Sequence, residues 1–340
     1  MRVAFIGVSH WHAPLYYRPT ARLGGVEIVG VSDPDLPAAE IAGRELGTRA
    51  FARLGDLLAE AKPEFVFVFG RHCDMPGIAS ALIDGGIPFL LEKPGGLNAA
   101  QVSALRQRAA AKRLHVGTGF NFRVSDVYKR IQALVGGDPM PHASFRFIAG
   151  GPYRYREAGC HWMLDPALSG GGCTINLALH FVDMFRSFSG DRPREVTSLM
   201  GNFAWNLPVE DYSAILLRGD RSVCTIETGY AFPAQLGVFD LRFSIRTHRH
   251  YLVARNDDVL EVYRAADGHV ERFYTAMSNA VWYPAFVVET LDRFARGEPP
   301  VADLADLEQV MRVVDAAYAS NRAGGAAIRL GEPAAGESGG

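Results

Sequence analysis

The run Phe65-Val66-Phe67-Val68-Phe69 is apolar at every position. Successive side chains of a strand point to opposite faces, so a strand of this composition has to be buried on both. A parallel sheet covered by helices provides that burial. Shorter strand-like runs accompany it at residues 3–6, 28–32, 49–51, 89–91 and 116–118. Helical patterning separates them at 13–23, 38–46, 54–61, 76–84 and 99–111, with Pro14 suited to a first turn. Strand–helix alternation across residues 1–124 predicts a doubly wound parallel sheet with helices on both faces.

From about Pro141 the rhythm changes. One long helix is expected at 175–188, then strands at 196–203, 213–218, 223–230, 239–246, 251–254 and 260–263. Turn residues such as Arg218-Gly219-Asp220 punctuate them, which predicts antiparallel hairpins with one exposed face. Helices at 285–295 and 304–321 follow and are expected to pack back across both halves. Residues 125–330 therefore read as a second, α+β domain. The Gly/Ala/Glu/Ser-rich tail 331–340 reads as disordered.

Composition narrows the ligands. The chain has 35 basic and 37 acidic residues, a formal net charge of -2, and no run of like charge. Nucleic acids and anionic membranes call for a concentrated basic footprint, so small molecules are the expected partners. The first strand begins almost at Met1, with no basic segment and apolar run of the kind that forms a secretory signal. No uncharged apolar stretch reaches the ~20 residues of a membrane span. Cys73, Cys160, Cys173 and Cys224 lack C-x-x-C spacing and read as reduced thiols. The expectation is a cytoplasmic protein.

The loop after the first strand, FIGVSHWHAP (5–14), admits two chemistries. A dinucleotide-binding turn, G-x-G-x-x-G, uses glycine for a tight turn, backbone approach to the pyrophosphate and helix packing. Here Gly7, Ser9 and His12 occupy those positions. Ser9 is small, and a helix N-terminus follows to receive phosphates, so Gly7, Ser9, His10, Trp11 and His12 are candidate cofactor contacts. Asp33 closes the second strand, where a carboxylate can accept hydrogen bonds from the adenine ribose and repel a 2'-phosphate. That favours NAD over NADP; a turn aspartate in Asp33-Pro34-Asp35 is the competing reading. The second chemistry is a metal held by His10 and His12, with His72 as a further ligand. His248 and His250 belong to the antiparallel region, and no metal is expected.

Lys93 ends the strand at 89–91, where such folds bind ligands. On the helix at 175–188, Asn176, His180 and Asp183 share one stripe, whereas Ile175, Leu179, Val182 and Met184 can pack elsewhere. Taken singly, the lysine reads as a solvated loop residue and the stripe as a satisfied core network. The stretches that contain them are Glu92-Lys93-Pro94 and GGGCTINLALHFVD (170–183), joined by GTGFNFRV (117–124), VEDYSA and DAAYAS. In these the chain resembles the glucose–fructose oxidoreductase/inositol dehydrogenase/rhizopine-catabolism (Gfo/Idh/MocA) family, over nearly its whole length.

The resemblance implies an α/β protein: an N-terminal Rossmann domain and a C-terminal α+β domain with a large, mostly antiparallel open sheet. It implies hydride transfer between NAD and a carbinol carbon of a sugar, inositol or related polyol. His180 is then general acid/base and Lys93 its electrostatic and proton-relay partner, with a lowered pKa. Asn176 replaces the aspartate of many members; it would orient His180 without supplying charge. Gly70, Arg71 and His72 stand where relatives show Thr-Pro-Asn, and with Glu92, Lys93 and Asn121 are assigned to the cofactor. Arg123 is placed at the nicotinamide–substrate junction. The aromatic loop PYRYREAGCHWMLDP (152–166) suits a sugar or cyclitol ring, with Trp162, Asp165 and, later in the chain, Tyr283 as substrate residues. An ordinary aromatic core loop is the alternative. Redox-neutral NAD-assisted elimination or glycoside cleavage, and a nonenzymatic NAD-binding regulator, are the rival functions. A homodimer or homotetramer through the C-terminal sheet is also implied.

Overall fold

The computed structural model describes residues 1–233 and 239–331. The tail expected to be disordered lies, from residue 332, outside the described residues. The apolar run becomes β4 (Phe65–Val68), buried at every position. Phe65 and Phe67 enter one hydrophobic core, Val66 and Val68 the other, as a period of two requires. Around it lie β1 (Arg2–Ile6), β2 (Glu27–Ser32), β3 (Ala50–Phe51), β5 (Phe89–Leu91) and β6 (Val116–Thr118). All pairings are parallel, in the order β3-β2-β1-β4-β5-β6. The order reverses between β1 and β4, which opens a crevice at their carboxyl ends.

The helices α1 (Ala13–Thr20), α2 (Leu36–Leu46), α3 (Leu54–Ala61), α4 (Met75–Gly85) and α5 (Ala99–Ala111) fill the crossovers. The first is shorter than expected. After Pro19 the amides of Arg22 and Leu23 bond only three residues back, and the helix unwinds ahead of Gly24-Gly25.

The second sheet has nine strands: β7 (His142–Gly150), β8 (Glu195–Gly201), β9 (Tyr212–Arg218), β10 (Val223–Phe232), β11 (Asp240–Arg246), β12 (His250–Arg255), β13 (Val259–Arg264), β14 (Val270–Tyr274) and β15 (Ile328–Arg329). Their order is β14-β13-β12-β11-β7-β10-β9-β8-β15, and every pairing is antiparallel except β7 with β10. The sequence reading missed β7, the middle strand. It buries Phe145 and Phe147 on one face, while Arg146 on the other bridges Glu227 and Asp240 of neighbouring strands.

Between β6 and β7, α6 (Asp126–Val135) was also not anticipated; Ser125 caps it by accepting from the Tyr128 amide. Short helices α7 (Tyr153–Glu157) and α8 (Pro166–Ser169) follow. The expected helix at 175–188 divides into a π turn (Thr174–Ala178) and α9 (Leu179–Ser189). Near the end, α10 (Asn279–Arg296) packs on α1, and α11 (Leu304–Arg322) packs on α5, β8 and α9. The last two helices thus cover both halves, as the sequence predicts. The first starts earlier than the expected residue 285, because Ser278 caps its N-terminus by accepting from the Ala280 amide. All four cysteines are free. Among the described residues no helix is long and apolar enough to cross a membrane.

Candidate active site

The β1–α1 turn is built on Gly7, at φ 76°. A Cβ there would stand 2.5 Å from the Phe69 carbonyl carbon, so no side chain fits where this turn meets the end of β4. At Gly70 the corresponding space is nearly open, with only Ile78 within 4 Å. Asp33 lies beside the loop: its Oδ2 accepts from the Ser9 amide at 2.8 Å and its Oδ1 from the Asp35 amide at 2.9 Å. The Ser9 N–H, expected to be open to phosphate, is therefore held by Asp33. A crevice at the strand-order reversal, lined by glycine and opening at a helix start, fits a dinucleotide.

The two loop histidines turn inward. The buried His10 ring accepts the His12 amide at Nδ1 (3.0 Å), which places its proton on Nε2. His12 Nδ1 lies 3.0 Å from Glu92 Oε1, and the Tyr16 hydroxyl donates to Glu92 Oε2 at 2.6 Å. Glu92 is wholly buried between them, so its carboxylate supports the loop from behind and is not free to touch a cofactor. His72 is similarly occupied: its Nδ1 donates to the Ser169 carbonyl at 2.6 Å, and its ring meets Trp162. Arg71 points outward and pairs with Asp74. Burial holds His10, His12 and His72 below the ordinary imidazole range, His72 at about 3. Among the described residues no group of three or more His, Cys, Asp or Glu is arranged to hold a metal ion.

Lys93 follows β5, and its bond to Pro94 is cis. Its Nζ donates to the side-chain Oδ1 of Asn176 at 2.7 Å and to the Asn176 carbonyl at 3.0 Å. The Asn176 Nδ2 donates in turn to the hydroxyls of Tyr155 (2.7 Å) and Tyr230 (3.0 Å). Asn176 therefore anchors the lysine and does not orient His180, contrary to the reading from the helical stripe. It lies in the π turn, where i→i+5 bonding breaks the i, i+4 alignment expected of a regular helix. Burial lowers Lys93 to about 8; Glu92 opposes that shift and Arg154 adds to it.

His180, on the first turn of α9, packs against Phe122 and Phe120. Its Nδ1 is buried with no hydrogen-bond partner among the described residues. Burial first, then the Lys93 ammonium and His12, push its pKa down and keep the ring neutral. Lys93 and His180 line one cavity of about 380 Å³, together with Trp11, His12, Asn121, Asn176 and Tyr283. A cation, a neutral imidazole and a buried amide network thus converge beside the crevice. That is the equipment for moving a proton from a hydroxyl and stabilising the developing alkoxide.

Two family models match: "Oxidoreductase family, NAD-binding Rossmann fold" over residues 1–120, and "GFO/IDH/MocA C-terminal domain" over residues 141–252. The chain belongs to the Gfo/Idh/MocA family. It is an NAD-binding oxidoreductase. The inositol 2-dehydrogenase of Leifsonia xyli subsp. xyli (strain CTCB07) is 29% identical over 141 residues, a match spanning 40% of this chain and 40% of that protein. The fold is shared with GenD2 from gentamicin A biosynthesis, solved with NAD, at TM-score 0.84 and 20% identity, covering 98% of this chain and 97% of that one. It is shared equally with a levoglucosan dehydrogenase solved with NADH and levoglucosan, at TM-score 0.86 and 16% identity, covering 98% and 100%. An inositol dehydrogenase homologue from Azotobacter vinelandii, solved with NAD+, follows at TM-score 0.83 and 15% identity, covering 97% of each chain.

In this Gfo/Idh/MocA chain several residues expected at the substrate have other work. Arg123 donates to both oxygens of Asp183 (2.6 and 2.9 Å), to Asp306 (2.8 Å) and to the Val301 carbonyl (3.0 Å). Burial opposes its charge, yet the two carboxylates outweigh burial and raise its pKa. Arg123 and Asp183 therefore join elements, and neither faces the cavity. Asp165 is a cap: it starts α8 by accepting from the Ala167 amide at 2.9 Å. Trp162 packs between His10 and His72, behind the loop. Of the expected substrate residues Tyr283 alone lines the cavity, where its ring meets His12 and Tyr16.

The sequence reading missed Tyr155, Tyr230 and Arg154, and the apolar walls Phe147 and Phe239. Tyr155 and Arg154 sit in the aromatic loop it had singled out; Tyr230 lies on β10 with no local signal. A larger cavity, about 630 Å³, opens between α5 and α11. Six arginines line it: Arg106, Arg186, Arg194 and Arg312 are paired with Glu308, Asp306 and Asp220, Arg192 and Arg329 stand beside them, and no group proposed for catalysis reaches it.

Proposed function

We propose that this protein oxidises a secondary-alcohol carbon of a sugar, inositol or related polyol, or reduces the matching ketone. The observation carrying the reading is the shared cavity of Lys93, fixed at Nζ by Asn176, and the His180 imidazole, whose Nδ1 has no partner among the described residues. NAD, when bound, supplies the hydride acceptor. Gly7, Gly70 and the start of α1 would hold it, and the carboxylate of Asp33 favours it over NADP. His180, neutral at physiological pH, takes the hydroxyl proton. The Lys93 ammonium stabilises the alkoxide, and the free amine that its pKa of about 8 makes available can accept that proton in relay. The inositol and sugar dehydrogenases among the similar proteins support a polyol ring as substrate.

The test is NAD reduction, followed by NADH absorbance over a panel of polyols and glycosides, with Lys93→Ala as control. Steady NADH formation that is lost in the variant supports the reading; turnover of a glycoside without net NADH would replace it with redox-neutral chemistry. Binding of NADH with no turnover of any kind would point to a regulator. The reading includes self-association through the outer face of the nine-stranded sheet, where Leu199 and Leu216 are 63% and 45% exposed. Light scattering should return a dimeric or tetrameric mass, and a monomeric mass removes that part.

A further inference from the structure

The cavity holds a second cation that hydride transfer does not need. Arg154, on α7, lies with its guanidinium 4.8 Å from the centre of the Tyr155 ring, 5.3 Å from Tyr230 and 5.9 Å from Trp11. Its Nη2 donates to the Tyr155 hydroxyl at 2.8 Å, while its Nε is buried with no hydrogen-bond partner among the described residues. No carboxylate among the described residues pairs with it, and none lines the cavity. Arg123, Arg186 and Arg106, by contrast, each meet an acid. A partly buried guanidinium with no counter-charge is costly unless an anion completes it. Three aromatic rings fix its plane, so the fork is organised before a ligand arrives.

We propose that Arg154 is a specificity residue for an oxyanion on the substrate, so that the enzyme acts on an acidic sugar or cyclitol bearing a carboxylate or phosphate. The inference rests on the polyol oxidoreductase reading and narrows it. Lys93 takes the reacting hydroxyl at one wall, and Arg154 takes the anionic group near another. The apolar sides supplied by Phe147 and Phe239 accept the C–H face of the ring. A planar guanidinium offers paired N–H groups to either kind of oxyanion. A cavity of about 380 Å³ lies at the small end of ligand sites, which suits a single ring with its acid group.

The probes are glucuronate, galacturonate, gluconate and glucose 6-phosphate against glucose, galactose and myo-inositol. Each is titrated into the NAD-loaded protein and, where turnover occurs, compared by kcat/KM. At least one anion should outperform its neutral parent by about 20-fold or more, the size of a charge-assisted hydrogen-bonded contact. In Arg154→Gln that preference should collapse to about threefold or less, while Arg156→Gln, an exposed neighbour, keeps it. Preference for carboxylates or for the phosphate identifies which oxyanion is read. The proposal is overturned if neutral compounds bind as tightly as every anion, or if the preference survives Arg154→Gln. It is also overturned if Arg154→Gln weakens NADH binding by the same factor, which would make Arg154 a cofactor residue. Failure of the unaltered protein to bind NADH would instead remove the oxidoreductase reading on which this rests.

Discussion

Lys93, Asn176 and His180 divide the chemistry in a way that substitutions can separate. His180→Ala should lower kcat by ~100-fold or more while NADH still binds, as expected for loss of a general acid/base. Turnover close to that of the unaltered protein would take His180 out of the mechanism. For Lys93 the pH profile is the sharper measure. Its pKa is depressed to about 8, so it is mostly charged below that pH and mostly free amine above it. If it accepts the relayed proton, kcat/KM for oxidation should rise as pH passes through about 8. Asn176→Asp would place a carboxylate against Nζ, favour the ammonium and move that midpoint up by about 1–3 units. An unmoved midpoint would mean that another group controls the profile. Lys93 and His180 were legible through the two motifs that contain them, Glu92-Lys93-Pro94 and residues 170–183, taken together; the strand end and the helix stripe alone also fit a solvated lysine and a core network. Their partners were not. The Asn176 amide has Tyr155 on α7 and Tyr230 on β10 as its neighbours, and no sequence period links those three positions.

Among the elements, the turn Asn121–Val124 is joined to α9 and α11 through Arg123. Its partner Asp183 is buried, so Arg123→Ala would leave a carboxylate without its counter-charge. That should cost about 3–5 kcal/mol of stability in denaturant unfolding. Arg123→Met with Asp183→Leu should recover much of the loss, because the apolar pair leaves no buried charge. An Arg123→Ala protein of undiminished stability but raised substrate KM would restore the arginine to the substrate site. The parallel strands were readable because burial on both faces leaves uninterrupted apolar runs, and β4 follows that rule. The strand β7 was not readable: its outer face carries His142, Ser144 and Arg146, so its pattern is half polar and its partners are remote in sequence. The π turn before α9 escaped for a related reason. Lys93 docks on the Asn176 carbonyl in that turn, a contact spanning 83 residues that local patterning does not report.

For the whole molecule, four buried histidines tie stability to pH. His10, His12, His72 and His180 all have folded pKa values below 6.5, and His72 is held near about 3. Below pH 6.5 the unfolded chain therefore binds more protons than the folded one, so stability should fall as pH drops from there toward the folded values. For His72, held at about 3, the loss at pH 5 is about 2 kcal/mol. Tm should decline over that interval, and His72→Gln should make the decline shallower; an equal slope in the variant would show that carboxylates govern it. The sequence alone determined the two-part architecture, the dinucleotide crevice and the two groups proposed for catalysis, because each follows from a local period or from one short motif. Only the tertiary structure decided which side chains face the substrate. It turned Glu92, His10 and Arg123 into supports, brought Arg154 to the cavity, and set Tyr155 and Tyr230 against the Asn176 amide behind it. Side-chain partners are chosen by packing between distant segments, where burial makes every unpaired polar group costly, and no local pattern in the chain records that choice.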